Sequence, residues 1–126
     1  MEIKRGFSDE IIAVIHKEKI IGLRAGDGPH RIIGVWAVVV ENRVFIRSWS
    51  LKQTSWYYVF LKEPRGIMQV KGQEFAIRAV RTRSERLKDA VDQAYLEKYK
   101  TPGSIQYALD LGQPKSRDTT TELVPI

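Results

Sequence analysis

The chain has no cysteine in its 126 residues. Disulfides, thiol chemistry and the usual structural zinc sites are therefore excluded. Only two histidines are present, so a multi-histidine metal site is not expected. Long apolar runs are missing too. The longest, Val35 to Val40, falls far short of the roughly 20 residues that span a bilayer. The start, Met1-Glu2-Ile3-Lys4-Arg5, is charged and is not followed by an apolar stretch, so no targeting segment is expected. A cytoplasmic protein without a membrane segment is the reading. There is no Walker-type glycine loop, no G-x-G-x-x-G and no nucleophile elbow.

What is present is an ordinary globular balance, with 43% hydrophobic and 29% charged residues. The length suits one domain over residues 1–126. Such a chain buries about two-thirds of its unfolded surface. The formal charge of +6 is spread evenly. Residues 1–63 hold 10 basic and 7 acidic side chains, and residues 64–126 hold 11 and 8. Nucleic-acid binders concentrate charge in a patch or stripe. The one local cluster is Arg78, Arg81, Arg83 and Arg86. On a strand, Arg78 faces opposite to Arg81 and Arg83, so no stripe forms. Nucleic acid is therefore a weak expectation, whereas a small anionic ligand suits the charge.

Ser8-Asp9-Glu10 opens a helix that runs to about Lys19, with Ser8 as cap and two carboxylates at the positive dipole end. Ile20 to Arg24 reads as a short strand, ended by the turn Gly26-Asp27-Gly28-Pro29. His30 to Glu41 is the strongest strand and is apolar on both faces, so both faces should be covered. Glu41-Asn42-Arg43 is a tight turn, and Val44 to Trp49 is the returning arm. A helix starts at Thr54 or Ser55 and ends before Pro64. Gly66 to Val70 and Gln73 to Thr82 form a second hairpin around Lys71-Gly72. Ser84 caps the longest helix, which reaches about Lys100 with Leu87, Ala90, Val91, Ala94, Tyr95 and Tyr99 as its apolar stripe. Residues 104–118 read as irregular, and Thr119 to Val124 as a final strand. The fold class is mainly β with α: a six-stranded, mostly antiparallel barrel with about three flanking helices.

Chemistry concentrates in Arg47-Ser48-Trp49-Ser50-Leu51-Lys52-Gln53-Thr54-Ser55-Trp56. The stretch joins a strand end to a helix start, where backbone N–H groups point outward. Arg47 and Lys52 supply positive charge, and Ser48, Ser50, Thr54 and Ser55 supply hydroxyls. Those groups suit a phosphate or carboxylate, although a helix cap alone explains one hydroxyl. With a two-residue hairpin loop, Trp36, Val38 and Val40 share a face with Phe45, Arg47 and Trp49. A planar ligand with an anionic tail could lie there. An aromatic core with Arg47 at its rim is the alternative. His30 is the better placed of the two histidines, since its loop also holds Asp27 and Arg31; His16 reads as a helix-boundary residue.

These residues carry a resemblance. The element order is similar to the flavin-binding split β-barrel, the fold of pyridoxamine-phosphate oxidase-like proteins and deazaflavin-dependent nitroreductases. Ser55-Trp56-Tyr57, Phe60-Leu61, Glu63-Pro64 and Met68-Gln69-Val70-Lys71-Gly72 resemble the nitroreductases locally. Across nearly the whole chain the sequence resembles an uncharacterised bacterial family of that superfamily. The stretches that carry this are Arg24-Ala25-Gly26-Asp27, Pro29-His30-Arg31, Phe45-Ile46-Arg47-Ser48-Trp49, Glu63-Pro64-Arg65-Gly66, Glu97-Lys98-Tyr99 and Asp118-Thr119-Thr120. The resemblance implies a flavin (FMN) or deazaflavin-type phosphorylated cofactor, a reductase or oxidase reaction and a homodimer. It places the cofactor phosphate at Arg47, Ser48, Ser50, Lys52, Thr54 and Ser55. It sets Trp36, Trp49 or Trp56 against the ring and Asp27, His30 and Arg31 near it. The nitroreductases carry a glycine-rich segment where this chain has Ser50-Leu51-Lys52-Gln53. The rival function is a non-catalytic module binding a small phosphorylated ligand or single-stranded nucleic acid.

Overall fold

The computed structural model describes residues 6–26, 28, 31–50, 52 and 54–126. Residues 1–5, Asp27, Pro29, His30, Leu51 and Gln53 lie outside the described residues. The first helix, α1, covers Asp9–Lys17, and Ser8 Oγ accepts the Ile11 N–H at 3.3 Å as its cap. Strands β1 (Ile21–Ala25), β2 (Ile33–Val35), β3 (Ala37–Val40) and β4 (Arg43–Ile46) follow. Next come α2 (Trp56–Lys62), the hairpin β5 (Arg65–Val70) and β6 (Gln73–Arg81), and α3 (Glu85–Lys98). The chain ends with α4 (Ile105–Leu111), α5 (Pro114–Arg117) and β7 (Thr121–Pro125).

All strand pairs are antiparallel, in the order β2-β1-β5-β6-β7-β4-β3. The two end strands of that order, β2 and β3, are separated in sequence by Trp36 alone. The sheet must therefore curl until its ends nearly meet, and Trp36 sits at the seam of a nearly closed barrel. This is why seven strands are present where six were expected. The long apolar run is two strands, one pairing with β1 and the other with β4, and the backbone changes partner at Trp36.

Period-two alternation sorts β3 and β4 into two cores. Ala37, paired with Ile46, and Val44, paired with Val39, point into the barrel. There they meet Leu23, Met68, Ile77 and Leu123, with Ile12 and Ile15 of α1 packed against them. The opposite face, Val38 paired with Phe45, lies under α3 against Leu87, Val91 and Tyr95. Both faces are covered, as the two-sided apolar run requires. Phe45 is fully buried beneath α3 in the cluster that Trp36 also packs against, so the face it shares with Trp36 is core at Phe45.

Residues 104–118 are not irregular. Ile105, Ala108 and Leu111 recur at helical spacing between Gly103 and Gly112, and Ala108 and Leu111 are buried against α3. Pro114 starts α5 at a position where its missing N–H costs nothing. Among the described residues five helices flank the barrel, where about three were expected.

Candidate functional site

A cavity of about 310 Å3 opens at the barrel seam. Trp36, Arg47, Ser48, Trp49, Ser50, Thr54, Ser55 and Trp56 line it together with Ile20, Ile33, Gly34, Val35 and Leu111. The residues before α2 thus face the strand junction across one hollow. Eight of the candidates named from sequence are brought together here. Lys52 is exposed and donates its backbone N–H to Ser50 Oγ at 3.2 Å. Arg31 is exposed two residues before β2 and is not among the described lining residues. Asp27 and His30 lie outside the described residues.

Arg47 differs from its expected role. Its side chain is 0% exposed. The guanidinium makes four hydrogen bonds, to Thr120 Oγ1 (2.8 Å), Asp92 Oδ1 (2.5 Å), the Leu111 carbonyl (3.1 Å) and the Lys88 carbonyl (2.9 Å). A guanidinium carries five N–H donors, so nearly all are engaged within the protein. Arg47 ties β4 to α3, α4 and the chain before β7. It helps to wall the cavity, but it is no spare cation for a ligand. Asp92 is shared with Arg117, whose other nitrogen reaches Glu85 and Asp89.

The hydroxyls divide in the same way. The Ser48 hydroxyl donates to the Ser50 carbonyl at 2.7 Å, and the Ser48 N–H donates to Thr119 Oγ1 at 2.8 Å. Ser48 is therefore structural. Ser50 Oγ accepts one bond, and its O–H has no acceptor among the described residues. Ser55 occupies the N-cap of α2 but makes no side-chain cap bond. Its Oγ is buried and has no partner among the described residues. A buried hydroxyl left unbonded costs about 1–3 kcal/mol, so a ligand atom that meets Ser55 gains from its need.

Aromatic rings build the other wall. Trp49 is 48% exposed, edge-on to Trp36 at 5.4 Å and to Tyr107 at 5.5 Å. Trp36 stacks flat on Tyr99 at 4.0 Å between centroids, with 4° between planes. Tyr107 went unnoticed in the sequence because it stands on α4; the spacing of Ile105, Ala108 and Leu111 would have disclosed it. Beneath the rings, the Tyr95 hydroxyl donates to the Trp36 carbonyl at 2.6 Å and accepts the Arg47 N–H at 3.1 Å. Burial pushes the Tyr95 phenol well above its usual range, so it stays neutral and pins the seam.

Among the described residues no three His, Cys, Asp or Glu side chains cluster as a metal site, and no helix is long and apolar enough to cross a membrane. No curated protein matches the chain. Solved structures do match its fold. The conserved hypothetical protein Rv2991 from Mycobacterium tuberculosis superposes with a TM-score of 0.64 at 13% identity, over 99% of this chain and 83% of that one. A putative pyridoxamine 5'-phosphate oxidase from Listeria innocua gives 0.60 at 10% identity, over 94% and 90%. A NimC/NimA family protein from Clostridium acetobutylicum gives 0.55 at 14% identity, over 93% and 79%. These likenesses establish the split-barrel fold. Over residues 12–123 the chain matches, and so belongs to, the bacterial family described as "Uncharacterized protein conserved in bacteria (DUF2255)".

Proposed function

We propose that the seam cavity binds a planar aromatic cofactor with a phosphorylated tail, of the flavin or deazaflavin class, for a reductase or oxidase reaction. The carrying observation is that residues apart in sequence, Trp36, Trp49, Ser50, Ser55 and Trp56, line one hollow. Its volume of about 310 Å3 lies at the small end of the roughly 300–1,000 Å3 typical of ligand sites. A structural neighbour of the same fold is a putative pyridoxamine 5'-phosphate oxidase, which supports a phosphorylated aromatic ligand.

The residues fit such a group. Trp49 and Trp36 offer aromatic surface to a ring, and Ile20, Ile33 and Val35 keep water from its edges. The Ser55 and Ser50 hydroxyls, neither of which donates a bond among the described residues, would hold polar atoms, with Lys52 as the cation for the phosphate. Asp27, His30 and Arg31 belong to the same proposal as neighbours of the ring. When bound, a flavin-type ring supplies hydride chemistry, and the protein supplies orientation and electrostatics. Arg47 fixes the floor by holding β4 to α3. On this reading the protein is a homodimer in which a second copy covers the exposed rim of Ile20, Ile33 and Trp49.

Titration with FMN and with a phosphorylated deazaflavin, followed by quenching of ligand fluorescence, tests the site. Trp49→Ala and Lys52→Ala should each weaken binding about fivefold or more, and Ser55→Ala about two- to tenfold. Lys115→Ala should change nothing. Absence of binding for both ligands at high micromolar concentration, or a Trp49→Ala protein that matches wild type, defeats the proposal. Sedimentation that shows only monomer at micromolar concentration removes the dimer.

A further inference from the structure

A second cavity, of about 510 Å3, lies on the other side of Trp36, between the end of α1, β3 and the end of α3. Nothing in the seam site uses it. Four basic side chains line it, His16, Lys17, Lys19 and Lys98, against a single carboxylate, Glu97. Its floor is apolar, from Val38, Val39 and Ala94, and Thr101 and Ser104 add hydroxyls.

Lys98 is the central group. Its Nζ donates to the Ala37 carbonyl at 2.6 Å and to the Ile15 carbonyl at 2.9 Å. An ammonium has three donors, and the third has no acceptor among the described residues. Lys98 also lines the cavity. Burial lowers its pKa to about 8, opposed by Glu18. Glu18 is itself engaged by Lys71 at 3.9 Å. The titratable groups around Lys98 are His16, Lys17, Glu18 and Lys19 at the end of α1 and Glu97 and Tyr99 at the end of α3; β3 contributes no titratable group, only the Ala37 carbonyl that Lys98 binds and the lining residues Val38 and Val39. The Tyr99 hydroxyl is already donated to the Lys19 carbonyl at 2.7 Å.

Capping the Ile15 carbonyl near the end of α1 explains one Lys98 bond, and the Ala37 carbonyl of β3 takes the second. Together they explain neither the third donor nor the hollow it borders. The negative dipole ends of α1 and α3 both lie here and by themselves repel anions. Lys98 stands against one of those carbonyl ends, and Lys17 and Lys19 add to it, so the cleft is positive on balance.

We propose that this cleft is a second ligand site, taking a small organic anion with a phosphate or carboxylate head and an apolar body. The head meets the third Lys98 N–H beside Lys17 and Lys19, and the body lies on Ala94 and the edge of β3 at Val39. The bound anion favours the ammonium form, so binding takes up a proton near pH 8, and affinity falls above that pH as free Lys98 loses its proton.

Calorimetry on the full chain with phenyl phosphate tests this at pH 8 in buffers of different ionisation heat. At that pH the ligand is already a dianion. Uptake of a fraction of a proton is expected, since burial brings free Lys98 down towards that pH. Phenol and inorganic phosphate should each bind at least tenfold more weakly. Lys98→Met should lose about tenfold or more in affinity together with the proton uptake. If Lys98→Met does not fold, the exposed pair Lys17→Gln plus Lys19→Gln carries the test, with a loss of about fivefold or more. Lys115→Ala, which lines neither hollow, should bind as wild type does. The proposal is overturned if phenyl phosphate fails to bind at millimolar concentration. It is also overturned if a folded Lys98→Met protein binds as wild type does, or if Lys52→Ala abolishes binding while the double variant leaves it intact.

Discussion

Arg47 on the strand side and Asp92 on α3 meet at 2.5 Å, with the guanidinium sealed from water and the carboxylate 28% exposed. A second cation, Arg117, holds the other Asp92 oxygen at 2.8 Å. The arginine that looked like an anion receptor already has its anion. Removing one partner of a buried pair leaves an uncompensated charge. Arg47→Ala should therefore lower stability by about 3–5 kcal/mol, read as a fall in the urea midpoint. Asp92→Asn should cost less, because the carboxylate is partly solvated. An Arg47→Ala protein as stable as wild type would show that the network contributes nothing.

Leu87 carries the contact between α3 and the outer face of β3 and β4. It is 7% exposed and belongs to the same core as Val38 and Phe45. Leu87→Ala should destabilise by about 2–5 kcal/mol through lost burial and the void left behind. An unchanged thermal midpoint would mean that the helix can be loosened without cost.

Gly66, inside β5, and Gly72, in the turn after it, should respond differently to alanine. A Cβ on Gly66 would press on the Arg24 carbonyl oxygen and lie 3.0 Å from the Phe60 ring. Backbone on one side and α2 on the other leave no relief. Gly66→Ala should cost about 1–3 kcal/mol or more, as overpacking does. Gly72 has open space around it but a φ of +81°. Gly72→Ala should cost about 1 kcal/mol, from the left-handed backbone alone. Equal denaturant midpoints for the two variants would refute the distinction.

Alkaline pH should act on stability in two opposed steps. Lys98 titrates near 8 when folded and at its ordinary 10.5 when unfolded. Between those values the unfolded chain holds the extra proton, so stability rises with pH. Tyr95 and Tyr99 are pushed above their ordinary 10.0 chiefly by burial. Above pH 10 the unfolded chain loses tyrosine protons that the folded chain keeps, so stability then falls. Chemical denaturation from pH 7 to 11 should show a rise and then a decline. Lys98→Met should remove the rise, and Tyr95→Phe should soften the decline. A flat profile for the wild-type protein would contradict both assignments.

The sequence by itself determined the elements whose signals are local. Ser8 and Ser84 cap helices because a hydroxyl can accept an N–H three residues ahead, and each does so here. Lys71-Gly72 turns the β5–β6 hairpin with both residues at positive φ. Alternation fixed that Val38 and Phe45 share one face and Ala37 and Ile46 the other. Even the family and most of the cavity lining were legible, since the residues from 47 to 56 carry a dense and unusual set of groups. Tertiary structure alone decided what each face meets. Alternation cannot tell which apolar face of a strand closes a barrel and which receives a helix, so Phe45 was legible as apolar but not as covered. Nor does sequence reveal where a run such as residues 33–40 changes pairing partner, because hydrogen-bond partners come from other strands. Arg47 makes the same point in charge. Its partners are separated from it by 41 to 73 residues, and only the folded chain shows that its donors are engaged.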